Sequence, residues 1–193
     1  MKKTILVIGA TPGFGKDIAF ELSRLGHQVI ATLQKESEVE NLIGEAKKEN
    51  IFLTVNRLNL LNSTDREAIC GKYNIDILLY SEHLVESAPI SGQPIDLIRS
   101  MFEHNVFAML EIAHYFIREF IARKAGKIIF TSSLGNLGGM PYFSAYCASK
   151  YALDIIALGL REELWPFGIH VSNIDVSVFK EIKHHIGDLL SYD

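Results

Sequence analysis

The chain has 193 residues, 48% of them hydrophobic and 22% charged, with a formal net charge of −4. That length suits one domain with a substantial core, and the composition is too apolar for a disordered chain. The near-neutral balance excludes the basic footprint of a nucleic-acid binder. No apolar run approaches the roughly 20 residues of a membrane span, so neither nucleic acid nor membrane is expected as a partner.

The first apolar run, Lys3 to Ile8, is too short for a secretory leader and meets Gly9 and Pro12 without a cleavage site; it reads as a strand. Ile18, Leu22 and Leu25 then fall at helical spacing, and Gly26 stops that helix. Gln28 to Leu33 is a second strand. Ser37 to Glu49 reads as a charged helix with Ser37 as N-cap and Glu40 three residues on. Ile51 to Arg57 is a third strand, Ser63 to Tyr73 a helix, and Ile75 to Tyr80 a fourth strand.

Gly92 and Pro94 punctuate a loop before a long helical stretch, Ile95 to Arg123, with a break expected near His104. Gly126 to Ser132 is a fifth strand, Ser144 to Trp165 a helix, and Gly168 to Ile174 a sixth strand. Strands alternating with helices require right-handed crossovers and a parallel sheet covered on both faces. The expectation is therefore a single domain over residues 1–193. That sheet is expected to have about six strands, doubly wound, in a three-layer α/β/α arrangement. Cys70 and Cys147 stand far apart, in no metal or redox spacing, which suits two idle thiols in a cytoplasmic protein.

Two segments carry chemistry. Gly9-Ala10-Thr11-Pro12-Gly13-Phe14-Gly15 joins the first strand to the first helix. Its glycines permit a tight turn and close approach to a pyrophosphate, and the helix N-terminus supplies free N–H groups and positive potential. The spacing G-x-x-x-G-x-G differs from the general dinucleotide fingerprint. Pro12 removes one donor, leaving a phosphate to the remaining groups and the Thr11 hydroxyl. The second segment is Tyr146-Cys147-Ala148-Ser149-Lys150. Residues four apart on a helix share a face. An ammonium beside a phenol lowers its pKa toward neutrality, where it can serve as acid or base. Ser133, at the end of the fifth strand, is placed to hydrogen-bond a substrate oxygen.

These segments resemble the classical short-chain dehydrogenases/reductases from about Lys3 to Asp175, which implies a Rossmann-type fold, shortened here at the C-terminus. The run from Gly126 to Leu153, with its serine and its Y-x-x-x-K helix, is the most specific match. Asn105 falls where the family carries its asparagine. The resemblance implies a tetrad of Asn105, Ser133, Tyr146 and Lys150. In it Tyr146 is the general acid/base, Lys150 lowers its pKa and binds the nicotinamide ribose, and Asn105 helps hold a relay water. It also implies a cofactor held by Gly9, Thr11, Pro12, Gly13, Phe14, Gly15, Gln34, Asn59, Tyr146 and Lys150.

The departures are specific. Where the family has N-N-A-G after the fourth strand, this chain reads Tyr80-Ser81-Glu82-His83. His83 threatens to crowd the nucleotide, and Glu82 adds a negative charge. Asn59 stands where an adenine-contacting aspartate is common. After the sixth strand the family's P-G and threonine give way to Val176-Ser177-Val178-Phe179-Lys180-Glu181. An acid at the end of the second strand would select NAD; here Gln34 and Lys35 occupy that end, which favours NADP(H) over NAD(H).

The resemblance implies an oxidoreductase that interconverts a small-molecule carbonyl and alcohol. The alternative is a non-catalytic relative with a degenerate cofactor site that acts through protein contacts. Leu134, Gly138, Met140 and Phe143 are expected to line a substrate pocket. The histidines, including His114, His170 and the His184-His185 pair, form no metal-ligand spacing. Phe107, Tyr115, Phe116 and Phe120 make one helix apolar on more than one side. That excess predicts a homodimer through the helices near 105–122 and 146–165.

Overall fold

A computed structural model describes residues 2–133 and 140–176; of Ser133 and Val176 it describes the backbone. The predicted stretch Val176 to Glu181, Leu134, Gly138 and His184-His185 thus lie wholly or in part outside the described residues.

Six strands form one sheet in the order β3-β2-β1-β4-β5-β6. They are β1 (Thr4–Ile8), β2 (Gln28–Leu33), β3 (Thr54–Arg57), β4 (Ile77–Tyr80), β5 (Gly126–Ser133) and β6 (Ile169–Val176). Every pairing is parallel. The helices are α1 (Phe14–Arg24), α2 (Glu36–Lys48), α3 (Ser63–Lys72), α4 (Ile95–Phe102), α5 (Ala108–Arg123) and α6 (Ser144–Leu164). A strand order that reverses between β1 and β4 is the doubly wound arrangement, and it opens a crevice at the carboxyl ends of those two strands.

The apolar runs of β1, β2 and β4 follow from burial on two faces. In β1, Leu6 and Ile8 point to one side, where they join Ile69 of α3, Phe116 and Phe120 of α5 and Leu153 of α6. Ile5 and Val7 point to the other side and meet Ala19 and Phe20 of α1 and Val39 and Leu42 of α2.

Local chemistry moved several predicted boundaries. α2 starts one residue earlier than predicted, with Lys35 rather than Ser37 at the cap. The Glu38 carboxylate accepts from the Lys35 backbone N–H at 3.0 Å, so an acid three residues on does the capping that a serine was expected to do. β3 begins at Thr54, not Ile51, because Ile51 completes the end of α2. Its N–H donates to the Ala46 carbonyl at 2.8 Å while Asn50 adopts a left-handed φ of 55°. The expected break near His104 is a π turn over Glu103–Phe107, so the chain runs from α4 into α5 without leaving the helical path. Phe116 and Phe120 are fully buried and belong to the core, which leaves only Phe107 and Tyr115 of that helix's aromatics exposed.

Candidate active site

The site is assembled at the carboxyl ends of β1, β4 and β5. Gly13 precedes α1 with φ 108° and ψ −143°, a conformation open only to glycine. A Cβ on Gly15 would lie 2.0 Å from the Gly9 carbonyl oxygen, which fixes glycine there too. The turn leaves Pro12, Gly13 and Phe14 exposed beside the start of α1, and Thr11 half-buried. The first N–H groups of a helix lack intrahelical partners, so Phe14 and Gly15 present donors at this end.

Tyr146 and Lys150 lie one turn apart on the inner face of α6, and both are buried. The Lys150 ammonium donates to the Thr131 carbonyl of β5 at 2.5 Å. Burial brings the Lys150 amine down to about 8, partly offset by the negative charge of Asp154. Asp154 lies a further turn along α6. It accepts from the Ser132 hydroxyl at 2.7 Å and from the Asn173 amide at 3.0 Å, which ties α6 to β5 and β6. Sequence reasoning passed over Asp154, although its i+4 spacing from Lys150 was a usable signal.

Asn105 sits in the π turn. Its side-chain oxygen accepts from the Leu84 N–H at 2.7 Å, and its amide donates to the Leu84 carbonyl and the Ser149 hydroxyl, each at 2.9 Å. Ser149 in turn donates to the Tyr146 carbonyl at 2.7 Å. Both amide hydrogens are therefore engaged, and the residue pins the loop after β4 against the Tyr146 helix. Ser133 ends β5, paired in register with Val176, and its side chain lies outside the described residues.

The loop after β4 is well anchored despite its unusual composition. Tyr80 is fully buried, its hydroxyl donates to the His104 carbonyl at 2.9 Å, and burial followed by the Glu82 charge pushes its phenol well above 10. His83 stacks obliquely near Tyr146, with ring centroids 6.2 Å apart. Glu82 faces His104 at 3.8 Å. Gln34 and Lys35 are exposed at the end of β2. The Asn59 side-chain oxygen accepts from the Leu61 N–H at 3.1 Å. Phe143 is buried with Met101, Ala145, Tyr146 and Cys147, so it is core rather than pocket lining, and Met140 packs half-buried against that cluster.

A separate cleft of about 1000 Å³ lies at the opposite end of the sheet, among Arg24, His27, Lys47 and Phe52. It opens at the amino ends of β2 and β3, away from the crevice where such sheets bind ligands. Among the described residues no helix is long and apolar enough to cross a membrane, and no group of acids, histidines and cysteines could hold a metal.

Comparison with known proteins matches residues 3–182 to the short chain dehydrogenase family model. The chain is 32% identical over 186 residues to an uncharacterized oxidoreductase, YusZ, of Bacillus subtilis (strain 168), covering 93% of this chain and 66% of that protein. It is 30% identical over 182 residues to dehydrogenase/reductase SDR family member 7 of Homo sapiens, covering 88% of this chain and 53% of that one. The chain thus spans between about half and two thirds of the length of these relatives.

Among solved structures it resembles an actinorhodin polyketide ketoreductase with NADPH, with a TM-score of 0.91 at 19% identity over 100% of this chain and 78% of that one. It also resembles a short-chain dehydrogenase from Sphingobium yanoikuyae in complex with NADPH, with a TM-score of 0.83 at 22% identity over 91% and 71%. At such identities these structures speak to the fold alone.

Proposed function

The chain belongs to the short chain dehydrogenase family, and on that premise we propose that it interconverts a carbonyl and an alcohol with a nicotinamide dinucleotide as hydride carrier. The observation that carries this reading is the pairing of Tyr146 with Lys150 on the buried face of α6, with Lys150 drawn to the end of β5.

The residues fit such a cofactor. The exposed turn from Thr11 to Gly15 leaves the start of α1 open to a pyrophosphate, and Gln34 and Lys35 stand exposed at the end of β2. Gly9, Thr11, Pro12, Gly13, Phe14 and Gly15 would hold the phosphates. Asn59 would contact the adenosine half, and Lys150 with Tyr146 the nicotinamide half. The dinucleotide supplies or accepts the hydride. Tyr146 gives its phenolic proton to the carbonyl oxygen during reduction and takes it back during oxidation. Lys150 favours the phenolate with its positive charge, Ser133 donates a hydrogen bond to the substrate oxygen, and Asn105 fixes the loop facing Tyr146. NADP(H) is the preferred form, because no acid stands at the end of β2 before Glu36 and Lys35 can meet a 2′-phosphate.

The active unit we propose is a single domain working in the cytoplasm as a homodimer, on a small-molecule substrate. Exposed Tyr151, Ile155 and Leu158 form a stripe on α6, and Phe107 and Tyr115 are exposed on the preceding helical run. The alternative of a non-catalytic relative gains nothing from the altered loop, whose polar groups at Tyr80 and Asn105 are satisfied.

The test is titration with NADPH and NADH, following nucleotide fluorescence and the thermal midpoint together. Saturable binding, tighter for NADPH, with a rise in the midpoint is expected. Tyr146→Phe should retain binding and lose turnover on carbonyl substrates by about 10²- to 10⁴-fold. Full turnover in that variant would sink the reading.

A further inference from the structure

Asp154 stands one helical turn beyond Lys150, on the side of α6 that meets β5 and β6. Residues four apart on a helix have Cβ atoms roughly 5–6 Å apart, so its carboxylate and the Lys150 ammonium are neighbours. Both carboxylate oxygens are engaged. Oδ2 accepts from the Ser132 hydroxyl at 2.7 Å, and Oδ1 accepts from the Asn173 amide at 3.0 Å. Lys150 itself donates to the carbonyl of Thr131, the residue before Ser132. α6 thus grips two consecutive residues of β5, one with a cation and one with an anion, just before Ser133.

The charge of Asp154 matters as much as its hydrogen bonds. A carbonyl dipole compensates a buried ammonium only in part. Burial draws the Lys150 amine down to about 8, and Asp154 opposes that fall. An amine that lost its proton would no longer favour the phenolate of Tyr146. The other surroundings of Lys150 supply dipoles rather than charge. β5 presents Thr131 and Ser132, and β6 presents Asn173, with Asp175 exposed two residues on. α6 presents Tyr146, and the His83 ring of the loop after β4 lies 6.2 Å from that phenol ring. Among the described residues, the charge that bears on Lys150 is that of Asp154.

We propose that Asp154 is the positioning residue of the Tyr146–Lys150 pair: it locks α6 to the end of β5 and holds the buried Lys150 as an ammonium. This inference rests on the oxidoreductase reading above and adds to it a residue that acts through Lys150.

The test is Asp154→Asn, which removes the charge and can keep the clamp. The new amide oxygen accepts from Ser132. The new amide nitrogen faces Asn173, whose own Oδ1 is buried without a partner among the described residues and accepts once that amide turns over. Folded Lys150 holds its proton less tightly than an unfolded lysine, so stability rises with pH above about 8. In Asp154→Asn that rise is expected to begin about one pH unit lower, read by urea unfolding at a series of pH values. Loss of a clamp alone would lower stability evenly at every pH. In a Lys150→Met background the same substitution should leave the pH profile unmoved. Turnover of Asp154→Asn on a carbonyl substrate should fall about 3- to 10-fold near pH 8 and approach the wild type near pH 6. Asp154→Ser, which can also accept from Ser132, reads the same rise if the amide variant does not fold. A rise that starts at the wild-type pH in a folded variant overturns the role of Asp154 and leaves the oxidoreductase reading standing. A displaced rise in a protein that binds neither NADPH nor NADH keeps the hold of Asp154 on Lys150 and overturns the oxidoreductase reading.

Discussion

Lys150 shows how one residue couples stability to function. Its amine is almost fully buried and donates to the Thr131 carbonyl, and burial brings it from 10.5 to about 8. A shift of that size corresponds to roughly 3 kcal/mol against the charged form. Between about 8 and 10.5 the unfolded chain binds more protons than the folded one, so stability rises with pH across that window, and the full cost stands below it. Lys150→Met is therefore expected to be about 1–2 kcal/mol more stable than the wild type near pH 7, after loss of the Thr131 bond is subtracted. The gain should vanish by about pH 10.5, as urea unfolding at the two pH values would register. A variant less stable at pH 7 would mean that the ammonium is not held at a loss. The spacing of Tyr146 and Lys150 was legible in the sequence because four residues on a helix is a local relation. The Thr131 and Asp154 contacts were not, because they depend on how α6 lies across β5.

At the scale of elements, the junction of α4 with α5 governs the site. A disturbance near His104 was foreseen, but its form, one wide turn, follows from what the turn must do. It carries Asn105 to Leu84 and Ser149 at once, and π turns of this kind collect at functional sites. Asn105→Ala would strand the N–H and carbonyl of Leu84 and remove the donor to the Ser149 hydroxyl oxygen. The expected cost is about 2–4 kcal/mol, read as a lower thermal midpoint, together with weaker turnover as the loop loosens over Tyr146. Unchanged stability would show that water replaces the amide without loss. Helix ends were the least legible elements. Ser37 looked like a cap, yet Glu38 does the work from three residues past Lys35, and Asn50 ends α2 with a hydrogen-bond pattern that takes Ile51 away from β3.

At the scale of the whole molecule, Tyr151, Ile155 and Leu158 leave an apolar stripe of α6 exposed. A self-complementary helix face of this kind suits a two-fold interface. Sedimentation of the chain should give twice 21.6 kDa, and the paired variant Ile155→Glu with Leu158→Lys should sediment as a monomer that keeps its fold. A wild-type monomer at micromolar concentration would reject the dimer. The aromatic-rich helix taught the limit of composition here: four aromatics suggested two apolar faces, but Phe116 and Phe120 are spent on the core.

The sequence by itself determined the alternation of strands and helices, the parallel sheet, the glycine turn and the Tyr146–Lys150 pair. Each depends on periodicity or spacing within a few residues, which the backbone enforces wherever the segment lies. Only the tertiary structure decided what the substitutions after β4 mean. Read along the chain, Tyr80, Glu82 and His83 looked like erosion of a cofactor site. In space, Tyr80 supports the π turn, Glu82 meets His104 from 22 positions away, and His83 lies beside Tyr146. Such pairings need the sheet to close first, because the strand order, and not the sequence, brings the ends of β4 and the helix that follows it to one crevice.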